Sequence, residues 1–575
     1  MILAIRYIAV ICPVRMLILL LLLVLQGLLP TLNVHATGTI VQSIETSDAQ
    51  SHQLLLPVLL WCVSLLGIQC LEPLVQLVQG DVNETVTRFF NEAILHKVNS
   101  AQNIALFDDK NRYEQLELLR KEAAYTPHNF IITTIYLFRA IVVVVGLLTV
   151  LIGQAGFGPA VCAVSVLPLL LINVKVQKAY WHSLMKSARD AILMRYVYDI
   201  SMNKSNLQEI RVYGLGPWLN EKYRKAADAT SKRMHRQRVN ALIKPVPVMV
   251  LSATIMGTGV YLFLHTLTST QMTTAAIVMA FQSVIMMKSY LDEAAIYSGH
   301  IVSMGEFFKT YRNFMQGDAD SLQSSKQVIP ASDPYTITFD NLSFHYPGQT
   351  QPVLKNLSFS IPAGQKVAIL GENGSGKTTL IKLLMGMYPV GQNSLRISGV
   401  SLSDADLIDY RTKVATVFQD FGRYEFTVAE NIAFAAVSGG KSSAEITSLL
   451  KKVQFPYEEQ VELGKRFGGS ELSGGQWQKL AIARALYRKA NLFIFDEFSS
   501  SLDPEIEYQL FNEILSLDAT LIAVTHRLGK IEEFDRIIVM DNGSIKEDGD
   551  YETLMAKQGK FFRMWQAQFK SRRKE

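Results

Sequence analysis

The sequence predicts two unlike halves, a polytopic α-helical membrane domain followed by a soluble α/β domain. Three observations carry that expectation. Hydrophobic residues make up 49% of the 575 positions and charged residues only 19%, below the roughly 25% usual for soluble domains. The deficit is concentrated in residues 1 to about 300, where long apolar runs dominate. Beyond a polar stretch at 316–334 (QGDADSLQSSKQVIPASDP), short apolar runs alternate with helical patterns, as strands and helices do in an α/β domain. The expected organisation is a membrane domain over 1–315, a linker over 316–334 and a soluble domain over 335–575.

A membrane span needs roughly 20 mostly apolar residues, because the hydrocarbon core is about 30 Å thick. Six stretches qualify: 16–42, 54–79, 129–152, 155–176, 245–267 and 271–288. The gaps at 43–53, 153–154 and 268–270 hold no Lys or Arg, whereas the long gaps 80–128 and 177–244 are basic. Positive charge is retained on the cytosolic side, so both long gaps and both termini are expected in the cytosol, in a cell-membrane protein. A rival reading takes residues 1–36 as a secretory signal, with Arg6 and Arg15 ahead of a Leu-rich stretch. Its removal would leave five spans and place the soluble half on the outer side of the membrane, so six spans are expected.

Both long gaps keep helical patterning and turn around near 102–112 and 207–218. They read as cytosolic extensions of the spans, with short transverse helices at the turns that can touch the soluble domain. Glu72 and Arg139 are ionisable residues inside apolar spans, where charge is expensive and usually paired or facing water. They lie at similar helical distances from the turn near residue 107, so they reach similar heights. Two readings stay open, an ion pair or shared cavity on one side and separate snorkelling on the other.

The net charge of +5 is small for this length and gives no support to nucleic-acid binding; loop charge beside a membrane explains its sign. Cys12, Cys62, Cys70 and Cys162 lie in or beside apolar stretches, with no C-x-x-C pair. Buried, inert thiols are expected rather than disulfides or a zinc site.

In the soluble half, KVAIL at 366–370 is a buried-strand pattern followed by GENGSGKT at 371–378 and the helix-like TLIKLLMGM. This fits the phosphate-binding loop G-x-x-x-x-G-K-[ST]. Gly371, Gly374 and Gly376 let the backbone curl so that N–H groups point at phosphate oxygens, and Glu372, Asn373 and Ser375 complete the loop. The helix that follows, opening with Thr379 after the loop, adds a favourable dipole. Lys377 is expected at the β- and γ-phosphates and Thr378 at Mg²⁺. LFIFDE at 492–497 reads as a second buried strand ending in Asp496, which can reach the metal through water. Glu497 beside it is placed to polarise the attacking water as a general base. ATP and Mg²⁺ are the expected cofactors.

With these motifs in place, ELSGGQ at 471–476 identifies the soluble half as resembling the ATP-binding-cassette (ABC) proteins, with the signature in the family's order between the two phosphate-site motifs. The resemblance spans some 240 residues. It implies that Tyr346 stacks on adenine, that Gln419 senses the metal and contacts the membrane half, that Leu502 and Asp503 form the D-loop, and that His526 contacts the γ-phosphate. Glu497, His526 and Gln419 are then the catalytic group, and Thr378, Gln419 and Asp496 the metal group. Six spans ahead of one cassette resemble the exporter branch, whose coupling helices would be the two turns above. The family implies a head-to-tail dimer, each ATP held between the phosphate loop of one chain and Ser473, Gly474, Gly475 and Gln476 of the other. One cassette per chain requires two chains; a homodimer is the simplest assembly, and a heterodimer stays open.

Finer segments narrow the branch. TVFQDFGRYEFTVAENI (416–432), VELGKRFGG and SGGQWQKLAIAR resemble exporters of lantibiotic-type modified peptides. Drug and lipid exporters more often carry a GERG-like segment where this chain has Gly464, Lys465, Arg466 and Phe467. Phe498 departs from the family's usual Pro after the catalytic Glu, which leaves the ATPase chemistry intact. With the first span near residue 16, no N-terminal peptidase is expected, and another protein would remove any leader. The expected function is ATP-driven export of a peptide, with lipid or hydrophobic-drug export as the alternative. ATP gating without turnover is disfavoured by the presence of Glu497.

Overall fold

The computed structural model describes residues 10–45, 51–155, 161, 164–165, 167–186, 188–270, 273–316, 327–330, 334–435, 442–497, 503–526, 528 and 530–570. Phe498, Leu502, Cys162, Arg6 and most of the expected linker lie outside the described residues. The chain forms two compact units, one of residues 1–99 with 114–317 and one of 100–113 with 318–575.

Up to residue 316 the described secondary structure is helical: α1 (Pro13–Glu45), α2 (Ser51–Ser100), α3 (Ala105–Asp108), α4 (Lys110–Glu122), α5 (Thr126–Ala155), α6 (Leu167–Lys186), α7 (Ala188–Met202), α8 (Lys204–Val212), α9 (Gly216–Ile243), α10 (Val246–Thr270) and α11 (Thr274–Gln316). Among the described residues, five helical stretches are long and apolar enough to cross a membrane. The expected span 155–176 falls partly outside the described residues; within it Leu167–Val176 is a shorter apolar helical stretch. The helices overrun the apolar stretches: α2 has 50 residues and α11 has 43. At about 1.5 Å per residue, α2 is about 75 Å long, more than twice the hydrocarbon thickness. Helical bonding does not stop where hydrophobicity does, so the spans continue into polar extensions.

Lipid offers no hydrophobic drive between helices, so small residues and polar ties hold them. A Cβ on Gly27 of α1 would sit 2.6 Å from Val142 Cγ1 of α5. Asn33 Nδ2 donates to Ser64 Oγ at 2.8 Å, and Gln282 Nε2 donates to Asn33 Oδ1 at 3.3 Å, tying α1 to α2 and α11. Arg139 reaches Glu72 Oε2 at 3.4 Å, so the two expected intramembrane ions do pair. The guanidinium also contacts Glu293 Oε1 at 3.2 Å, a third member of the cluster. One expectation fails here: Cys70 is exposed among the described residues, whereas Cys12 is buried.

In the second unit, β1 (Ile337–Phe344), β2 (Leu354–Ile361), β3 (Lys366–Gly371), β4 (Leu395–Ile397), β5 (Val400–Ser401), β6 (Val414–Val417), β7 (Leu492–Asp496), β8 (Thr520–Val524), β9 (Arg536–Asp541) and β10 (Ser544–Gly549) form two sheets. The smaller has the order β2-β1-β4-β5 and the larger β10-β9-β3-β8-β7-β6. Strands β9, β3, β8, β7 and β6 pair in parallel. Parallel strands are covered on both faces, and alternation sorts their side chains. Val367, Ile369, Leu492 and Ile494 face one core with Leu380 and Ile381, while Ala368, Leu370, Phe493 and Phe495 face the other with Leu480 and Ile482.

The segment 100–113 belongs to this unit. Ile104 N donates to Met387 O at 3.0 Å, and Arg411 Nη2 donates to Gln102 O at 2.5 Å. The Tyr388 phenol donates to Asp108 Oδ2. Burial, and then the Asp108 carboxylate, hold that phenol well above its ordinary pKa. The first of the two turns thus sits on the soluble unit through three separate hydrogen bonds. Losing a bond to a charged group costs about 1.5–3 kcal/mol, so Asp108→Ala is expected to speed hydrogen exchange of the 101–108 amides markedly. Unchanged exchange there would show that this bond contributes nothing to the docking.

Candidate nucleotide site

Parallel pairing brings the distant motifs to one edge. Ile369 of β3 lies beside Val524 of β8, and Val524 beside Asp496 of β7. The phosphate loop after β3, the Asp496–Glu497 pair ending β7 and His526 after β8 therefore all leave the sheet at its carboxyl edge. In open α/β sheets ligands bind in the crevice outside those ends.

The loop that follows β3 is shaped by positive φ at Gly371 (153°), Gly374 (80°) and Gly376 (103°). A Cβ on Gly371 would lie 2.4 Å from Met540 O, and one on Gly376 2.6 Å from Leu354 Cδ2, so both positions need glycine for space as well as conformation. Gly376 caps α12 (Lys377–Leu384), whose N-terminus opens toward the loop. Glu372, Asn373, Gly374 and Thr378 are exposed, while Ser375, Gly376, Lys377 and Thr379 are buried. Lys377 Nζ donates to Gly371 O at 2.7 Å and Glu372 O at 3.0 Å, folding the ammonium into the hollow of its own loop. Its burial lowers the ammonium pKa, opposed by Glu497 and Asp496. An anion placed in the hollow would favour the charged form.

Asp496 is 1% exposed, and its Oδ1 has no hydrogen-bond partner among the described residues. Burial first, then the neighbouring Glu497, push its carboxyl up to about 6, while a hydrogen bond from Thr378 opposes the rise. A buried carboxylate oxygen left without a donor, beside an exposed Thr hydroxyl, fits a cation or its bound water. These are the residues that would hold Mg²⁺, which when bound would neutralise charge building on the phosphates.

Glu497 has φ 52°, a left-handed conformation unusual for a side-chain-bearing residue. Its N–H donates to Val524 O at 3.0 Å, holding it there. The carboxylate then reaches His526 Nε2 at 2.8 Å through Oε1 and accepts from Gln419 Nε2 at 2.9 Å through Oε2. The structure thus joins the three sequence-predicted catalytic residues in one hydrogen-bonded group, although they come from three strands.

Tyr346 follows β1. Its hydroxyl lies 3.0 Å from Thr379 Oγ1, and its ring meets Tyr388 edge-on at 5.3 Å. Ser473 caps α16 of the chain (Gly474–Tyr487, after α13 Leu407–Thr412, α14 Val428–Ala433 and α15 Ser443–Lys452). Its hydroxyl accepts from Gln476 N at 3.3 Å, while Gln476 Oε1 accepts from Ser473 N at 2.8 Å. This capping box presents an exposed helix N-terminus at Gly474, with Gly475 half-buried behind it, where an anion would be welcome. Asp503 caps the helix that starts at Pro504.

The sequence reading missed Lys560, whose ammonium lies 3.1 Å from Glu372 Oε1 and 2.8 Å from Asp541 Oδ1. It comes from a C-terminal helix with no local motif, so only the fold reveals that it abuts the phosphate loop.

A nucleotide-binding edge of this kind, in a chain that also carries membrane-length helices, defines an ATP-driven transporter. Residues 354–500 match the family described as ABC transporter. The chain is 29% identical over 570 residues to the subtilin transport ATP-binding protein SpaT of Bacillus subtilis, covering 92% of this chain and 88% of that protein. It is 32% identical over 351 residues to the ATP-dependent lipid A-core flippase of Haemophilus influenzae, covering 60% of this chain and 59% of the relative. A solved bacterial Atm1-family ABC exporter with ATP bound superposes with a TM-score of 0.82 at 21% identity, over 97% of this chain and 99% of that one. Residues 354–500 thus form an ABC transporter domain. The chain has the exporter fold of a helical membrane domain joined to a cassette, that of a multi-pass membrane ATPase coupled to transport.

Removing the Glu497 carboxylate deletes the candidate base and keeps the phosphate loop. Glu497→Gln is expected to slow hydrolysis by about 10²–10⁴-fold with ATP affinity retained, and an unchanged rate in purified protein would contradict that role. Lys377→Ala, by contrast, is expected to weaken nucleotide binding itself, so calorimetry showing undiminished affinity would count against the loop assignment.

Proposed function

We propose that the protein is a homodimeric exporter of a peptide, modified in the lantibiotic manner, across the cytoplasmic membrane. Both termini and the cassettes lie in the cytosol, and six spans per chain line the path. The observation that carries the peptide reading is the match to the subtilin transport protein, which runs through both halves of the chain. The lipid A-core flippase matches are shorter, several of them covering only about 240 residues. Lipid or hydrophobic-drug export is the second reading, supported by the 351-residue flippase match, which extends beyond the cassette.

In this reading Gly371 to Thr379 wrap the triphosphate, with Lys377 leaving its own loop carbonyls to meet the β- and γ-phosphates. Thr378, Asp496 and Gln419 hold Mg²⁺, and Tyr346 supports the adenine. Glu497 orients water for attack on the γ-phosphorus, steadied by His526 and Gln419. Ser473, Gly474, Gly475 and Gln476 of the second copy close over the same phosphates, offering N–H groups of a helix N-terminus. Closure of two such sites turns the membrane cavity outward.

A head-to-tail pair makes a distinctive prediction. Lys377→Ala chains and Ser473→Arg chains are each expected to be inactive, yet a mixed dimer places both lesions in one site and leaves the other intact. Co-assembled variants should therefore recover ATP hydrolysis that neither shows alone. No recovery in verified mixed dimers would contradict the shared site. For the cargo, ATP-dependent uptake of a labelled thioether-ringed peptide into inside-out vesicles is expected, with no stimulated flipping of labelled lipid; the reverse result favours the lipid reading.

A further inference from the structure

The membrane unit contains a cavity of about 400 Å³ that the nucleotide chemistry does not use. Gln26 of α1, Ile68, Glu72 and Pro73 of α2, Arg139 of α5 and Tyr290 of α11 line it. The volume is within the range of small-ligand sites, about 300–1,000 Å³.

Its charge is unbalanced. Arg139 lies between two carboxylates, 3.4 Å from Glu72 and 3.2 Å from Glu293, so the ion cluster sums to −1 with all three ionised. The two carboxylates are not equivalent. Glu72 lines the cavity and its side chain is 34% exposed, whereas Glu293 is 24% exposed and is absent from the lining. Arg139 is further held over the Tyr136 ring, 4.8 Å from its centroid. Glu293 and Tyr136 can therefore hold the guanidinium, whose Nε is buried with no hydrogen-bond partner among the described residues. Glu72, which also accepts from Gln76 Nε2 at 3.2 Å, then exchanges Arg139 for another cation.

A second observation points the same way. Gln26 is 4% exposed; its Nε2 donates to Glu72 Oε2 at 2.6 Å, and its Oε1 is buried without a hydrogen-bond partner among the described residues. That bond fixes the amide so that its carbonyl is the end left over. A buried acceptor without a donor is costly and calls for one. The cavity thus offers a carboxylate beside apolar Ile68 and Pro73, the Gln69 amide and the Tyr290 ring, with the orphan carbonyl of Gln26 buried in the same wall. The group that satisfies both is a cation carrying several N–H donors on an apolar stem, and a primary ammonium has three.

We propose that this cavity binds the ammonium group of a transported peptide, a lysine side chain or free amino terminus, with Glu72 as counter-ion and Gln26 Oε1 as acceptor. The ammonium takes Glu72 from Arg139, and Glu293 retains Arg139. The proposal rests on the export reading and names the chemistry its cargo presents. An aminophospholipid headgroup carries the same ammonium, so the test separates the two sources.

The experiment uses full-length protein in phosphatidylcholine nanodiscs and two probes, dansyl-Leu-Leu-Lys-amide and its Nε-acetylated twin, with binding read by dansyl fluorescence. The free amine is expected to bind about tenfold more tightly or better, as a charge-assisted hydrogen bond is worth. Glu72→Gln is expected to bring the ratio close to one, and Gln26→Leu, which leaves the ion cluster intact, to lower it severalfold. Equal binding of the two probes by the unaltered protein overturns the proposal, as does a full ratio in Glu72→Gln. Should Glu72→Gln fail to fold, a full ratio in Gln26→Leu does the same. Displacement of the amine probe by added phosphatidylethanolamine, with no displacement by further phosphatidylcholine, assigns the cavity to a lipid amine and overturns the peptide assignment. Glu497-dependent ATPase activity in the same nanodiscs separates the failures: its absence removes the export reading, whereas its presence with equal probe binding removes only the cavity assignment.

Discussion

Parallel pairing of β3, β8 and β7 is the constraint on which the cassette's chemistry depends. Each strand buries both faces, so its register is fixed by two cores at once: Val367 and Ile369 are locked on one side, Ala368 and Leu370 on the other. A slip of one residue would exchange the two sets. With the register set, the residues just beyond the strands have nowhere to go but the carboxyl edge, where Lys377, Asp496, Glu497 and His526 converge. Apolar packing with no chemical role thus decides the positions of groups that have one. The cost appears locally, as the left-handed backbone at Glu497 and the orphaned oxygen of Asp496. Strain and unsatisfied polarity of this sort persist where surrounding structure over-determines them, and they cluster at functional sites.

The membrane unit solves a different problem with different interactions. Its helices gain little from hydrophobicity against lipid, so they rely on close approach at Gly27 and on polar ties such as Asn33 with Ser64 and Gln282. Charge between the helices is gathered into a cluster, with Arg139 shared between Glu72 and Glu293. Sharing one cation between two carboxylates leaves one of them able to exchange partners, an arrangement suited to a cavity that must bind and release.

How much of this was legible in the sequence follows from how local each feature is. The phosphate loop was readable because backbone N–H groups can surround a phosphate only if contiguous residues supply them, and the strand before and helix after it are equally local. Glu497 was read as the base from its place at the end of a buried strand, His526 and Gln419 through family resemblance, and the structure joins the three by hydrogen bonds that no spacing could have announced. The pairing of Glu72 with Arg139 was within reach because both are counted from one turn, at residues the structure folds into α3 and its flanks. Glu293 escaped because it lies past the apolar stretch 271–288, on a helix that continues to Gln316; a rule based on hydrophobicity stops where that helix does not. Gln26 and Lys560 escaped for a related reason, since an uncharged amide in a Leu-rich span and a lysine in a polar tail carry no signal until partners are brought to them. The expectation of buried thiols failed at Cys70, because the burial of a residue in a span depends on which helices pack against it, and Cys70 is exposed among the described residues.

The claim that the carboxyl edge of the parallel strands holds the γ-phosphate is tested most directly by photo-crosslinking. An ATP analogue with an aryl azide tethered at the γ-phosphate would be bound to the purified protein, irradiated, and the adducts mapped by mass spectrometry. The account predicts labels in peptides containing 371–379, 496–497 and 525–526, together with 473–476, all competed by ATP. Labels competed by ATP but confined to other surfaces of the cassette would contradict it.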